Sequence, residues 1–183
     1  AGDHAGTFGG GQQHALGGAV VASRIMGNGG AIEGNRSGCH VVYAWNSIIE
    51  INGGTIHNNN SGNSTLMAAG TSEMTINGGT LSIKDGRVPG NGNTWTSCLT
   101  DTQNSAVMVV NGGTFNGGFR VQAGTTMTIK GGSFNDCYGS NYNIYGTAVV
   151  LGGTYTDQTA VTFAKKYVAD GYQVNDKGTV VAK

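Results

Sequence analysis

The chain has 183 residues, 34 of them glycine and one proline, with ten basic and ten acidic side chains. That balance excludes a nucleic-acid binder, which needs a dense basic face to displace counterions, and no apolar run approaches the roughly 20 residues of a membrane-spanning helix. The abundance of Val, Ile, Thr and Tyr excludes a disordered chain and points to one β-rich, turn-rich domain, 1–183.

Residues 1–27 read as an N-terminal coil or cap. A weak motif, His4-Ala5-Gly6-Thr7-Phe8, opens it, and the glycine-heavy run from Gly9 to Gly18 reads as a loop or a surface for an upstream domain. From residue 28 a corner motif recurs. Asn28-Gly29-Gly30-Ala31-Ile32 is followed by Ile51-Asn52-Gly53-Gly54-Thr55-Ile56 and Ile76-Asn77-Gly78-Gly79-Thr80-Leu81. Then come Val110-Asn111-Gly112-Gly113-Thr114-Phe115, Ile129-Lys130-Gly131-Gly132-Ser133-Phe134 and Val150-Leu151-Gly152-Gly153-Thr154-Tyr155. Counted from Gly6, the second glycine of each copy recurs after 24, 24, 25, 34, 19 and 21 residues.

Leucine-rich repeats share this period, but their leucine ladder is missing. Helical repeats are longer and do not tolerate so much glycine. The period suits an all-β fold, a right-handed parallel β-helix (a solenoid) of about six coils over 28–158, with three short strands and three turns per coil. The copies align into columns. Ile49, Met74, Met108, Met127 and Ala148 form one apolar column, and Ile51, Ile76, Val110, Ile129 and Val150 form another. Between them run Glu50, Thr75, Val109, Thr128 and Val149, so apolar positions alternate with a more polar one, as in a strand with one buried face. After the glycines come a hydroxyl column (Thr55, Thr80, Thr114, Ser133, Thr154) and an apolar one (Ile56, Leu81, Phe115, Phe134, Tyr155). The glycine pairs supply positive φ at the corner, and Asn28, Asn52, Asn77 and Asn111 stack as an amide ladder beside them.

One interval is about ten residues too long, which reads as an insertion at about 85–104, where a rigid scaffold would carry a functional loop. Residues 159–183 break the pattern and read as a C-terminal cap: a short helical turn or extended flap, then a strand at Thr179-Val180-Val181-Ala182. Such a cap keeps open strand edges from recruiting other chains. Cys39, Cys98 and Cys137 lack CxxC spacing. They read as thiols, with one Cys98–Cys137 disulfide as the alternative, and not as metal ligands.

GGT coils followed by Tyr167-Val168-Ala169-Asp170-Gly171-Tyr172-Gln173-Val174 resemble the GGTF-type β-helix repeat regions of secreted and surface proteins of gut anaerobic bacteria and their phages. The resemblance covers most of the chain from Asn28 onward. It implies an extracellular, cell-surface or virion setting and a structural or adhesive role. More distant relatives of such solenoids include pectate-lyase-like enzymes, phage tailspikes and adhesins. The resemblance carries no catalytic residue to this chain.

The acids are spread along the chain, mostly one per coil, where a glycosidase needs two carboxyls at a set separation and a calcium site needs several converging. Glu33 and His57 fall in one outward column of adjacent coils, about one strand spacing or ~4.8 Å apart, with Glu50 and His40 in the same region. A carboxylate–histidine pair can exchange protons with a substrate, so Glu33, Glu50 and His57 are the catalytic candidates; a solvated ion pair is the plainer reading. Arg87, Trp95, Asp101, Tyr138, Tyr142 and Tyr145 are the ligand-binding candidates, the aromatics as sugar-stacking faces. Asn52, Gly53, Gly54, Asn77, Gly78, Gly79, Asn111, Gly112, Gly113, Gly131, Gly132, Gly152 and Gly153 read as structural corner residues. No cofactor or metal is expected.

Three functions follow in order of preference. The first is a non-catalytic structural or adhesive module that presents loops to carbohydrate or a protein partner. The second is a polysaccharide lyase or glycoside hydrolase. The third is a homo-oligomer, as a self-assembling filament or trimeric fibre subunit.

Overall fold

A computed structural model of the protein describes residues 5–8, 12–15, 24–34, 41–58, 64–83, 95–99, 105–135 and 142–183. Strands dominate. The chain runs β1 (Ala5–Phe8), β2 (Gln12–Ala15), β3 (Arg24–Gly34), β4 (Val42–Trp45), β5 (Ile48–Asn58), β6 (Leu66–Ala69), β7 (Glu73–Ile76), β8 (Thr80–Ile83) and β9 (Trp95–Leu99). It continues with β10 (Val107–Val110), β11 (Thr114–Asn116), β12 (Gly118–Val121), β13 (Thr126–Ile129), β14 (Ser133–Asn135), β15 (Tyr142–Ile144), β16 (Thr147–Val150) and β17 (Thr154–Tyr155). Helix α1 (Gln158–Tyr167), β18 (Tyr172–Val174) and β19 (Val180–Ala182) end it.

Twelve strands form one large parallel sheet and five form a second, ordered β15-β12-β9-β6-β4. The large sheet is strongly curled because β3 and β5 run through its bend. The first half of β5, Ile48 to Ile51, pairs with β7, and its second half, Thr55 to Asn58, pairs with β8. Two arms leave that bend, one through β7, β10, β13 and β16, the other through β8, β11, β14 and β17. Every strand of both sheets pairs in parallel with its counterpart one repeat away.

The columns aligned from the sequence are the pairs observed. Ile51, Ile76, Val110, Ile129 and Val150 are successive partners along one arm. Ile56, Leu81, Phe115, Phe134 and Tyr155 are successive partners along the other. Both columns are buried, and they join Val42, Leu66, Phe119 and Val121 of the five-stranded sheet in a single core. Period-two alternation thus puts one side of these strands on the core.

The bend explains why glycine comes in pairs. Only the second glycine needs the left-handed region: Gly113 has φ +99°, which other residues adopt only under strain. The first does not. A Cβ on Gly112 would lie 2.7 Å from the carbonyl oxygen of Asn77 in the preceding repeat. Backbones stack too closely there for any side chain. The expectation that both glycines serve positive φ is therefore half right. Beside them the Asn amides form the expected ladder. Asn52 Nδ2 donates to Asn28 Oδ1 at 2.8 Å, Asn77 Nδ2 to Asn52 Oδ1 at 2.7 Å, and Asn111 Nδ2 to Asn77 Oδ1 at 2.7 Å.

Phe115, Phe134 and Tyr155 form a stack inside the second arm, with centroid separations of 5.0 and 4.7 Å and planes within 13°. The cap closes the end of this stack. Asp157 caps α1, its Oδ1 accepting from the amides of Thr159 and Ala160 at 2.9 Å each. Ala160, Phe163 and Ala164 on one face of α1 then bury against the core, Phe163 lying 6.3 Å from the Tyr155 ring. The cap is more ordered than expected, a ten-residue helix and an antiparallel β18–β19 hairpin. It also covers the last repeat edge, through bridges Val150–Val168 and Thr154–Thr179.

Two other expectations shift. Gly6 is not a corner glycine. It lies within β1, paired with Ile25 of β3, and Gln12 of β2 pairs with Ala31 of the same strand. The expected insertion at 85–104 contains β9, the five-stranded sheet's strand for that repeat. Trp95 and Cys98 are therefore strand residues. Residues 84–94 and 100–104, with Arg87 and Asp101, lie outside the described residues, as do Cys39, His40, Cys137 and Tyr138.

Candidate functional site

The catalytic candidates divide. Glu33 pairs in register with His57, and His57 with Ser82. The register adds His14, which pairs with Glu33. Residues 19 and 24 positions apart in sequence thus occupy three successive rows of one column. Its later members are Asn116 and Asn135, Thr156 then donating its hydroxyl to Asn135 Oδ1 at 3.0 Å. His57 Nδ1 is 2.6 Å from Ser82 Oγ. Glu50 belongs elsewhere. It lies before the bend on the other arm, where its Oε1 accepts from Asn52 Nδ2 at 3.2 Å. The grouping of Glu50 with Glu33 and His57 therefore does not hold. Among the described residues, no three His, Cys, Asp or Glu side chains could hold a metal ion.

Beyond His57 this wall carries two uncharged hydrogen-bonding columns. One is Thr55, Thr80, Thr114, Ser133 and Thr154; the other is Ser82, Asn116, Asn135 and Thr156. Along the second column Asn135 Nδ2 donates to Asn116 Oδ1 at 3.1 Å. Beyond His57 the described part of this wall is a neutral array of hydroxyls and amides.

The aromatic candidates also divide. Tyr142 pairs in register with Phe119 of the five-stranded sheet. Tyr145, immediately after β15, is 67% exposed. Trp45, which sequence reasoning missed, is the other well-exposed aromatic among the described residues, at 37%. Its signal lay in the strands of the five-stranded sheet. Trp45 ends β4 as Tyr145 follows β15, but this sheet lacks the GG marker that aligned the large one.

Deep burial pushes the Tyr155 hydroxyl far above the ordinary tyrosine range, and its proton is donated to Gly152 O at 3.2 Å. This is a core bond and not a reactive group. Among the described residues no helix is long and apolar enough to cross a membrane. Comparison with protein-family models, with curated proteins and with solved structures finds no match.

Proposed function

We propose that this protein is a right-handed parallel β-helix serving as a non-catalytic structural or adhesive module on an extracellular, cell-surface or virion scaffold, with carbohydrate as the ligand. In-register stacking of like side chains supports the β-helix reading. One observation carries the functional reading: beyond His57 the wall of Thr/Ser and Ser/Asn/Thr columns is uncharged and repeats once per strand spacing. Such a surface matches the repeating hydroxyls of a polysaccharide.

The enzyme reading is weaker because Glu50 lies on a different arm from His57. End-to-end filament growth is weaker at the C-terminal end, where α1 and the β18–β19 hairpin cover the last strands.

The test is retention of the purified chain on immobilised neutral and acidic polysaccharides, with reducing-end and unsaturated-product assays on the same samples. Retention on a neutral polysaccharide without cleavage is the expected result. Binding to none sinks the carbohydrate reading. Cleavage that disappears in His57→Ala or Glu50→Gln sinks the non-catalytic one.

A further inference from the structure

His57 of β5, Ser82 of β8 and Asn116 of β11 hold three successive rows of one outward column on the second arm. They are 25 and 34 residues apart in sequence, so only the stack brings them together. His57 Nδ1 lies 2.6 Å from Ser82 Oγ. Among the described residues the Ser82 hydroxyl has no second partner. Its hydrogen is therefore assigned to His57 Nδ1, and the ring carries its own hydrogen on Nε2. Glu33 and His14 hold the two rows before His57.

Asn116 flanks Ser82 on the other side. Its Oδ1 accepts from Asn135 Nδ2 at 3.1 Å, so that oxygen faces the following row, β14. The corner ladder shows what this polarity does to the other end of the amide. Asn77 Oδ1 accepts from the following row, and Asn77 Nδ2 donates to the preceding one. For Asn116 the preceding row is Ser82. Its Nδ2 group has no partner among the described residues, so its donors are left on the Ser82 side.

The column thus reads base, nucleophile, amide donor, with rows about 4.8 Å apart. A serine hydroxyl attacks an acyl carbon when a neighbouring imidazole takes its proton. The carbonyl oxygen then gains negative charge, which an amide N–H stabilises. Ser133, in the adjacent column, lacks this pairing. It donates instead to Asn135 Oδ1 at 3.4 Å, an amide oxygen that cannot serve as a base. His57, Ser82 and Asn116 are half-buried on an outward face of the sheet. Such a face suits a small acyl group better than a long one, which needs a pocket.

We propose that Ser82 is an acyl-acceptor site for small carboxylic esters, with His57 as its base and Asn116 as its oxyanion donor. Ser82 Oγ bonds to the acyl carbon, and its proton passes to His57 Nδ1. The bond to the leaving alkoxide breaks, and His57 returns the proton to that oxygen. The products are a free alcohol and a chain esterified at Ser82. The transfer occurs once per chain and cuts no glycan bond, so it is separate from the structural or adhesive reading above.

The experiment treats the full chain with p-nitrophenyl acetate and follows nitrophenol release and the acetylated peptides by mass mapping. An acetyl group is expected at Ser82 and none at Ser133. Ser82→Ala should abolish the Ser82 adduct. His57→Ala should slow its formation by about 100-fold. Asn116→Ala should slow it by about tenfold, less than a buried oxyanion donor is worth, because this face is open to water. Thermal melts check that each variant folds. No adduct at Ser82, or one that forms as fast in His57→Ala, overturns the site. An unchanged rate in Asn116→Ala overturns the oxyanion role. The probe carries no sugar, so either result leaves the carbohydrate reading to its own test.

Discussion

Phe134 stacks on Tyr155 with ring centroids 4.7 Å apart and planes 12° from parallel. Both rings are essentially inaccessible, and both lie one repeat apart in the same column. The stack continues to Phe115, and Phe119 meets Phe134 edge-on at 5.7 Å. Removing the central ring leaves a void that a parallel strand stack cannot collapse around. Phe134→Ala is expected to cost about 3–5 kcal/mol, and Phe134→Leu clearly less. Denaturant unfolding followed by circular dichroism measures both; equal losses would show that ring packing is unimportant.

Tyr155 gives the fold an alkaline limit. Burial holds its hydroxyl well above the ordinary range, so the folded chain keeps a proton that the unfolded chain releases near pH 10. The folded state then binds more protons than the unfolded state, and stability falls as pH rises. Its contribution is complete below about pH 10 and is lost progressively above that. Unfolding free energy measured from pH 9 upward should fall more steeply in the parent than in Tyr155→Phe. Parallel curves would disprove the assignment.

The two glycines of a corner should fail for different reasons. Gly112→Ala drives a Cβ to 2.7 Å from Asn77 O, and Gly113→Ala forces alanine to φ +99°. Each is expected to cost about 1–3 kcal/mol. Gly29 is the control, because a Cβ there meets nothing within 4 Å. Gly29→Ala should be neutral or stabilising by a few tenths to about 1 kcal/mol. Thermal melts of the three variants decide the matter; a Gly29 loss equal to that of Gly112 removes the close-approach argument.

Asn77 donates to one ladder neighbour and accepts from the other. Asn77→Asp keeps the acceptor but turns a carboxylate oxygen toward Asn52 Oδ1. On this exposed face the loss should be modest, about 1 kcal/mol at neutral pH. Protonation below about pH 3.9 restores a donor, so the difference from the parent should shrink in acid. Melting temperatures of both proteins at pH 7 and pH 3 test this, and a gap that widens in acid contradicts the ladder.

Much of the fold was legible in local patterns. The Ile-Asn-Gly-Gly-Thr corners revealed the period, and the alternation around them revealed which residues of β7, β10 and β13 face the core. Three parts were less legible. The five-stranded sheet has no corner marker, so the sequence does not separate β9 from the loop around it or single out Trp45. The first repeat lacks the Asn-Gly-Gly signature, so Gly6 resembles a corner glycine although it lies within β1. A repeat alignment orders columns but does not say which side of a bend each one faces, so it does not separate Glu50 from His57.

What the sequence determined by itself, then, was the repeating strand and bend. Those depend on short-range requirements: glycine at positive φ, a β-branched or aromatic residue at alternate positions, and an amide beside the turn. Only the tertiary structure decided which side chains share a surface. Neighbours in a column are 19 to 34 residues apart, and their alignment depends on loop lengths that cancel out only when the whole chain is stacked. The carbonyl of Asn77 that excludes a side chain at Gly112 comes from another repeat. The same stacking brings Ser82 beside His57.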